Sequence, residues 1–564
     1  MKHKKNRLSL LKPTQINFTS WLESPWFIMT TFFVLIAPFS LNYHFHYPDE
    51  MYYTDASIQM LKNGDYFTTY LGNGELRFKK PILTYWSVLA GFGIFGISPF
   101  SSRIFFLLAG TCLVGLTFLI ARNASDDKKI AAIAAWITAS QPLVIFSSSR
   151  AIPDILLVCF LTLSAVGIVG LLKKPLGTSK SELWLLYLGL GLGFAVKGLP
   201  AVALGAVALS YLAANPWSKV PIKRLLYFPA LTVSIAIGLF WFVIMFFQFG
   251  PVYLDAFFDD QVGIRVGSRI GQISRHLLFG VGIMIALFVP WLFFFPRKHQ
   301  ASMSKTLSKN PSFFGFAASW VVAILLMTGV VSTFYERYLL PVYPLAVAAF
   351  TWLVFTHQCR SGKTMRYTLV FFIVLNFLAL SVGLFMTTGM QSPPYLIIHW
   401  AAGMMLTMAV LAALARDRIA VSHISIAIML VFFNGSLISY PLSIPDQGAQ
   451  VKNLVNEKGL PPNSQIGFIG NPHHGSKIRI GLGLNHHLIN LDRENPDWQH
   501  YDYLICDETG MAMLPLKDVM TEVAARNWNP KFLLAIWEGI WQGNLIEKRQ
   551  ELTKKYYLVT LHKP

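Results

Sequence analysis

The 564-residue sequence contains few charged residues and few cysteines. Only 13% of its residues are charged, whereas roughly a quarter are charged in soluble proteins. Hydrophobic residues make up 54%, and the mean hydropathy is +0.49. This composition excludes a soluble globular class for most of the chain. The four cysteines include no CxxC pair, so the sequence predicts neither a disulfide framework nor a cysteine metal site.

The sequence also lacks a compact basic segment of the kind that binds nucleic acid. Its formal net charge is +19, but the lysines and arginines lie in short loops between apolar runs. Basic loops of this kind are explained by membrane orientation, because cytoplasmic loops are enriched in lysine and arginine. No nucleic-acid partner is therefore predicted.

Long apolar runs are the main feature that the sequence does contain. Runs of about 17 to 25 residues, the length that crosses a bilayer as a helix, recur as far as position 441. They predict an α-helical polytopic membrane protein with thirteen spans. The thirteen are 26–43, 102–121, 130–147, 153–172, 183–197, 198–214, 226–249, 277–296, 313–331, 338–356, 367–388, 395–415 and 419–441. The count depends on two short helices meeting at Lys197-Gly198.

Loop charges give the orientation of these spans. With the N-terminus inside and the first apolar run an uncleaved span, every cytoplasmic loop is basic, as the positive-inside rule requires. This holds only if residues 82–97 do not cross, so we expect a helix that lies at the outer interface or is buried among other helices. The termini then lie on opposite sides of the membrane, which predicts an external C-terminal domain.

The outer loops at 44–101, 147–154 and 250–276 carry the candidate site residues. Asp49 and Glu50 open the first loop, where adjacent carboxylates indicate either a functional pair or the start of a helix that Asp49 caps. Lys79 and Lys80, held next to Pro81, are suited to binding a phosphate, or they are lysines that flank an interfacial helix.

Further charged and polar side chains fall on the same outer face. They are Arg150 and Asp154 in the second loop, Lys197 at a helix break, Arg265 and His276 in the third loop, and Arg337 and Tyr338 in a later turn. Outer basic residues break the orientation rule. Together with Asp49, Glu50, Asp55 and Asp154 they indicate a site for a phosphate beside a carboxylate.

Several motifs, in order, resemble those of one superfamily. They are YPDE, GDY, RFKKPILTYW, SSRAIPDILL, FAVKGLP, QVGIRV followed by RH, and ERYLLPVYP. In this order they resemble the lipid A aminoarabinose transferases and related protein mannosyltransferases of the GT-C superfamily, over about residues 25 to 360.

The resemblance implies roles for the matching residues. Asp49 matches the catalytic carboxylate of the first loop, with Glu50 beside it, and Asp154 matches the second-loop Asp. Four residues match positions that bind the donor phosphate, namely Lys80, Lys197, Arg265 and Tyr338. His276 matches the third-loop His, and Arg150 and Arg337 are possible further site residues.

One departure from the family pattern concerns a metal. Family members commonly have an acidic residue before the lysine of the KPP motif, where it can help to hold a metal, but this chain has Lys79 there. A protonated ammonium has no lone pair to donate. No metal ligand and no required cofactor are therefore predicted, and the need for a divalent metal stays open. Ile82 replaces the second proline of the motif, a change that we expect to be tolerated.

The implied reaction is an inverting transfer of a sugar from a polyprenyl-phosphate donor to lipid A or a related envelope acceptor. Asp49 acts as the base, and a single displacement needs no second, nucleophilic carboxylate. Transfer to protein Ser or Thr is the alternative within the class. A secondary transporter or a non-catalytic lipid-binding protein is the alternative from another class, although the charges lie in loops and no internal repeat is present. None of these motifs identifies the sugar.

After position 441 the sequence becomes polar. The region 442–564 predicts a small α/β domain with strands at 465–469, 487–491, 503–506 and 556–561 and a helix at 517–527. The pairs His473-His474 and His486-His487 are expected on surface loops, since adjacent histidines lack the spacing of metal ligands on one element.

Overall fold

The structure is a computed structural model. It describes residues 21–41, 48–259, 270–295, 300–356, 362–388, 395–415, 419–439, 447–492, 497–514, 519–526, 531–551 and 553–560. The predicted basic N-terminus, the third-loop Arg265 and several predicted cytoplasmic loops lie outside these residues.

The first part of the chain is helical throughout. In chain order the helices are α1 Pro25–Leu41, α2 Pro48–Asn63, α3 Leu83–Phe95, α4 Pro99–Ser125, α5 Lys128–Ala139, α6 Pro142–Ser148, α7 Pro153–Lys173, α8 Ser181–Lys197, α9 Leu199–Ala214, α10 Ile222–Leu225, α11 Phe228–Phe249, α12 Pro251–Phe258, α13 Ile270–Phe288, α14 Gln300–Leu307, α15 Pro311–Val330, α16 Tyr343–Phe355, α17 Gly362–Thr388, α18 Tyr395–Ala415 and α19 Val421–Ser439. Short 3-10 helices cover Trp291–Phe294 and Glu336–Val342. One continuous apolar core links these helices, and the α-helical polytopic fold class is confirmed.

Each of the thirteen predicted spans falls on an apolar helix, but length supports fewer crossings. Within the described residues, nine helices are long and apolar enough to cross a membrane, or ten if α5 and α6, bent by 62°, form one broken span. The remaining predicted spans coincide with α1, α8 and α9, which have 17, 17 and 16 residues. The number thirteen stays a prediction.

Local sequence explains where these helices begin and end. Ser98 and Ser101 form a reciprocal capping box at the start of α4, with Pro99 in its first turn. Helix α8 ends at Lys197 because Gly198 has φ of 74°, a conformation that glycine adopts without steric cost. The predicted break at Lys197-Gly198 is therefore present.

The first outer loop contains two helices. Helix α2 includes Asp49 and Glu50 in its first turn. Asp49 therefore lies inside the helix and is not its capping residue, which was one of the two interpretations of the sequence. Helix α3 corresponds to the apolar stretch that was excluded as a span; it packs against α4 and α2 and buries Tyr85 and Val88 completely. Its 13 residues are too few to cross a bilayer.

A small α/β unit follows, as the sequence predicted. Its helices are α20 Gln447–Glu457, α21 Pro472–Leu482, α22 Glu508–Met513, α23 Lys531–Gln542 and α24 Leu545–Glu551, and its strands are β1 Gln465–Ile469, β2 His487–Asn490, β3 Tyr503–Asp507, β4 Val519–Arg526 and β5 Thr553–Thr560. The sheet order is β2-β1-β3-β5-β4. Strand β1 is parallel to β2 and β3, whereas β5 is antiparallel to both β3 and β4.

The predicted helix at 517–527 is wrong. Residues 519–526 form β4, which pairs with β5 along its whole length. Backbone hydrogen bonds to a strand that follows later in the chain override the helical periodicity of this segment, a contribution that local sequence does not carry. The sequence also missed all five helices of this unit, α20 to α24.

The expectation that the histidine pairs lie on surface loops is wrong for His474 and His486. His473 and His474 lie on helix α21, and His474 is buried with its Nδ1 2.6 Å from the Tyr556 hydroxyl oxygen. His486 is also buried, at 6% exposure. His474 and His486 are therefore buried, so the polarity of the sequence did not indicate their exposure.

Candidate active site

Helix α2 directs Asp49 and Glu50 to different surroundings, because consecutive residues on a helix point about 100° apart. The Glu50 side chain is buried, at 1% exposure, and its two oxygens accept hydrogen bonds from Arg103 Nε at 2.8 Å and Arg103 Nη2 at 2.7 Å. The Ala151 amide donates to Glu50 Oε1 at 2.7 Å. Glu50 is therefore enclosed by its partners.

Asp49 has a more open environment. Its side chain is 37% exposed, and Arg337 Nη2 donates to Asp49 Oδ2 at 2.6 Å. One carboxylate oxygen thus remains available on an exposed face. Of the two adjacent carboxylates, Asp49 has the access that an acceptor group requires.

Arg337 joins Asp49 to a second, buried carboxylate. Arg337 Nε lies 3.3 Å from Asp154 Oδ2, and Lys197 Nζ donates to Asp154 Oδ1 at 2.5 Å. The Lys197 ammonium also lies 4.7 Å from the centre of the Tyr338 ring. Two carboxylates and two cations from four elements therefore form one network, and a ring suited to a cation lines it.

The fold brings these charges together at helix ends. Asp154 follows Pro153 in the first turn of α7, and Lys197 is the last residue of α8. An acidic residue at a helix start and a basic residue at a helix end both interact favourably with the helix dipole. Arg337 and Tyr338 are held in the 3-10 helix that precedes α16.

The surroundings of Asp49 change its acidity. Burial raises the pKa of the Asp49 carboxyl above its ordinary value of 3.8, and the negative charge of Asp154 raises it further. The positive charges of Lys197, Arg77 and Lys80 act in the opposite direction and offset part of this rise. A carboxyl with a raised pKa is a better proton acceptor near neutral pH than an ordinary aspartate.

Arg77 is a site residue that the sequence did not single out. Its Nη1 donates to the Tyr85 hydroxyl at 2.6 Å, and its guanidinium lies 4.3 Å from the centre of the Tyr52 ring. Lys80, three residues before the start of α3, is buried at 6% exposure, whereas the neighbouring Lys79 is exposed. The lysine that the family resemblance selected is thus the buried one.

An apolar cavity of about 240 Å³ opens at the charged network. Asp154, Lys197, Arg337 and Tyr338 line its polar end. Its other walls are apolar and include Leu157, Val158, Leu204, Ile324, Met327 and Pro341. A ligand with an anionic head and a hydrocarbon chain matches this division.

The remaining predicted residues are less closely tied to the network. His276, in α13, is buried at 7% exposure, and its ring lies 5.8 Å from that of Phe334. Arg150 is half-buried with its guanidinium 5.7 Å from the centre of the Phe146 ring. Arg265 lies outside the described residues, so its predicted phosphate contact stays a prediction.

The described residues include no cluster of side chains that could hold a metal ion. Within the described ranges, no three His, Cys, Asp or Glu side chains converge on one point. The position that holds an acidic residue in the resembling family is occupied by Lys79, whose side chain is exposed and carries no carboxylate oxygen. No catalytic step is therefore derived through a metal.

The Glu50–Arg103 ion pair has a partial signal in the sequence. A carboxylate such as Glu50 is ordinarily buried only with a cation beside it. Arg103 is one of the outer basic residues that break the positive-inside pattern. This signal predicts that Glu50 pairs with an outer cation. It does not select Arg103 over the other outer arginines, because no sequence feature distinguishes them.

Comparison with known proteins supports the same superfamily. The family model described as dolichyl-phosphate-mannose-protein mannosyltransferase matches residues 26–254. An uncharacterized protein of Aquifex aeolicus (strain VF5) is 27% identical over 372 residues, which cover 63% of this chain and 70% of that protein. The undecaprenyl phosphate-alpha-4-amino-4-deoxy-L-arabinose arabinosyl transferase 2 of Proteus mirabilis (strain HI4320) is 25% identical, with coverage of 66% and 67%.

The fold is shared with a solved structure. The crystal structure of ArnT from Cupriavidus metallidurans bound to undecaprenyl phosphate matches with a TM-score of 0.66 at 16% identity, covering 91% of this chain and 97% of that one. The predicted resemblance to the GT-C membrane glycosyltransferases is confirmed, as is the multi-span helical architecture.

Proposed function

We propose that this glycosyltransferase moves a sugar from a polyprenyl-phosphate donor to lipid A or a related envelope acceptor, on the outer face of the bacterial inner membrane. The observation that carries the proposal is the network of Asp49, Arg337, Asp154 and Lys197 at the mouth of the apolar cavity. It combines a candidate base, phosphate-binding cations and room for a lipid chain.

The donor lies with its phosphate at the cations and its hydrocarbon chain in the cavity. Lys197 and Arg337 line the polar end of the cavity, and the charge of the buried Lys80 acts on Asp49 beside it. Lysine ammonium and arginine guanidinium groups stabilise the negative charge that the phosphate gains as it leaves. Tyr338 borders the same end.

Asp49 acts as the general base. The acceptor hydroxyl gives its proton to the Asp49 carboxylate while its oxygen forms a bond to the anomeric carbon. The bond between that carbon and the phosphate oxygen breaks, and its electron pair leaves with the lipid phosphate. A single displacement of this kind inverts the anomeric carbon. A polyprenyl-phosphate donor is supported by the names of the Proteus mirabilis relative and the Cupriavidus metallidurans structure, both of which contain undecaprenyl phosphate.

Arg337 couples donor binding to the base. Its guanidinium contacts both Asp49 and Asp154. A donor phosphate competes for the same guanidinium, because arginine binds phosphates in a fork geometry. When the phosphate takes the contact at Nη2, Asp49 loses a cation that stabilises its charge and becomes the stronger base.

Sugar transfer in detergent from a polyprenyl-phosphate donor pool tests the proposal. Asp49→Asn should reduce kcat roughly 100-fold or more while donor binding is kept. Lys80→Ala should weaken donor binding as well as turnover, since a phosphate contact is made in both the ground and transition states. The matched control is Lys79→Ala, which removes the neighbouring exposed lysine and should bind donor like the parent. Transfer by Asp49→Asn at the parent rate refutes Asp49 as the base.

The acceptor is identified by mass spectrometry. Lipid A and secreted glycoproteins from cells with and without the gene are compared, and the proposal expects the mass difference on the lipid. The match to the protein mannosyltransferase family model favours the second candidate, transfer to protein Ser or Thr. A sugar lost from glycoproteins and not from lipid supports that candidate instead, and transport of the lipid-linked sugar without transfer refutes both.

A further inference from the structure

The C-terminal domain contacts the same helix that carries Asp49. Arg479, on α21, lies with its Nη1 2.6 Å from Oδ1 of Asp55, on α2. The two side chains are 0% and 4% exposed, so this ion pair is fully enclosed. Asp55 follows Asp49 by less than two helical turns.

Arg479 is held in place by its own domain. Its Nε donates to the Leu488 carbonyl at 3.0 Å, and its Nη2 donates to Asn490 Oδ1 at 3.1 Å. Both acceptors belong to strand β2. The guanidinium is therefore fixed to the sheet on one side and reaches α2 with its remaining nitrogen.

Two further contacts close the same interface. At the end of α2, Lys62 Nζ donates to the His486 carbonyl at 2.8 Å. The first-loop backbone at Gly72 covers the ion pair so tightly that a Cβ there would lie 2.7 Å from Arg479 Nη1 and 2.8 Å from Asp55 Oδ2. Only glycine fits at this position without displacing the pair.

We propose that the C-terminal domain positions the catalytic base, with Arg479 as a positioning residue that acts on Asp49 through Asp55 and helix α2. This inference rests on the proposed function, in which Asp49 is the base. Glu50 and Arg103 fix the first turn of α2, and Tyr53 and Ser57 contact Tyr85 of α3. Arg479 and Lys62 tie the later turns of α2 to the C-terminal domain. Without the domain, the later turns of α2 keep their packing against α3 but lose the contacts of Arg479 and Lys62.

A base is effective only when it is held close to the proton that it removes, and a displacement of about 1 Å can cost roughly 100-fold in rate. Arg479→Ala also leaves the Asp55 carboxylate buried without its cation, which drives α2 to move toward solvent. We expect kcat to fall at least tenfold. The donor KM should change little, because Lys80, Lys197 and Arg337 are not on α2.

Val559→Ala is the matched control. Val559 is fully buried in β5, so the variant weakens the core of the same domain without touching the Asp55–Arg479 pair. Both variants are assayed below their unfolding temperatures. If domain stability alone mattered, the two would lose transfer together; the proposal expects the loss for Arg479→Ala only.

Hydrogen exchange supplies a readout that does not depend on activity. Amides of α2 should exchange faster in Arg479→Ala and at the parent rate in Val559→Ala, because local opening depends on the contacts that hold an element. The double variant Asp55→Asn/Arg479→Ala should lose no more kcat than Arg479→Ala, since the two residues act through one contact. If Arg479→Ala does not fold, Asp55→Asn, which keeps the side-chain shape, is compared with Val559→Ala in the same way.

The outcomes separate this inference from the proposed function. If Asp49→Asn abolishes transfer but Arg479→Ala keeps the kcat and the α2 exchange of the control, the positioning role is wrong and the base assignment stands. If Asp49→Asn transfers at the parent rate, the proposed function fails, whatever the exchange of α2 shows.

Discussion

The adjacent carboxylates Asp49 and Glu50 allow a double comparison of function and stability. Changing each to its amide keeps the shape of the side chain and removes one charge. The structure predicts opposite outcomes: Asp49→Asn loses transfer and keeps stability, whereas Glu50→Gln loses stability. The reason is that Glu50 is enclosed by Arg103 and the Ala151 amide, while Asp49 is 37% exposed.

The magnitude for Glu50→Gln follows from its contacts. Breaking a buried ion pair by removing one charge costs about 3 to 5 kcal/mol, because the other charge stays buried without compensation. The glutamine oxygen can still accept from the Ala151 amide, but its NH2 group faces a donor of Arg103. We therefore expect the low end, about 3 kcal/mol, which for a chain of 564 residues lowers the unfolding temperature by about 2 to 3 degrees.

Asp126→Asn is the control for this comparison. It makes the same chemical change in the ion pair with Lys173, where the Asp126 side chain is 71% exposed. Exposed pairs contribute only about 0 to 1 kcal/mol, so its unfolding temperature should stay close to that of the parent.

The assay is thermal unfolding in detergent beside sugar transfer, measured below the unfolding temperature of every variant. The reasoning is refuted if Glu50→Gln unfolds at the parent temperature and loses as much kcat as Asp49→Asn. Glu50 would then be the base.

Three further predictions concern pH, metal and topology. Because an ionised Asp49 is required, kcat should fall as the pH drops through the raised pKa of Asp49; Asp154→Asn removes a charge that raises this pKa, so the acid limb of the kcat profile should move to lower pH. A limb that stays in place or moves up refutes the coupling. Purified protein should contain less than stoichiometric zinc by elemental analysis, and transfer should survive a chelator; zinc lost together with activity would contradict this. A reporter fused after Pro441 should be recovered outside the cytoplasm, and cytoplasmic recovery would reverse the orientation.

The apolar runs determined the membrane part of the fold, because the length of a hydrophobic segment is a property of local sequence alone. The predicted helices at Asp49, at 82–97 and on both sides of Gly198 are present. The C-terminal sheet was also predicted, since four of its strands are short apolar runs. The fifth, β4, was taken for a helix because its state is set by pairing with β5.

The motif order selected Asp49, Lys80, Asp154, Lys197 and Tyr338 as site candidates, but only the tertiary structure decided how these charges pair. Arg337 and Asp49 are 288 residues apart, and their contact depends on two loops meeting over a bundle of helices. Arg479 gave no signal at all, since an arginine on a polar helix is ordinarily exposed. Segment hydrophobicity and charge belong to each residue and its neighbours, so the sequence determined them. Burial and ion pairing depend on which distant segments pack together, and for Glu50 with Arg103 and for Asp55 with Arg479 the folded chain alone supplied the partner.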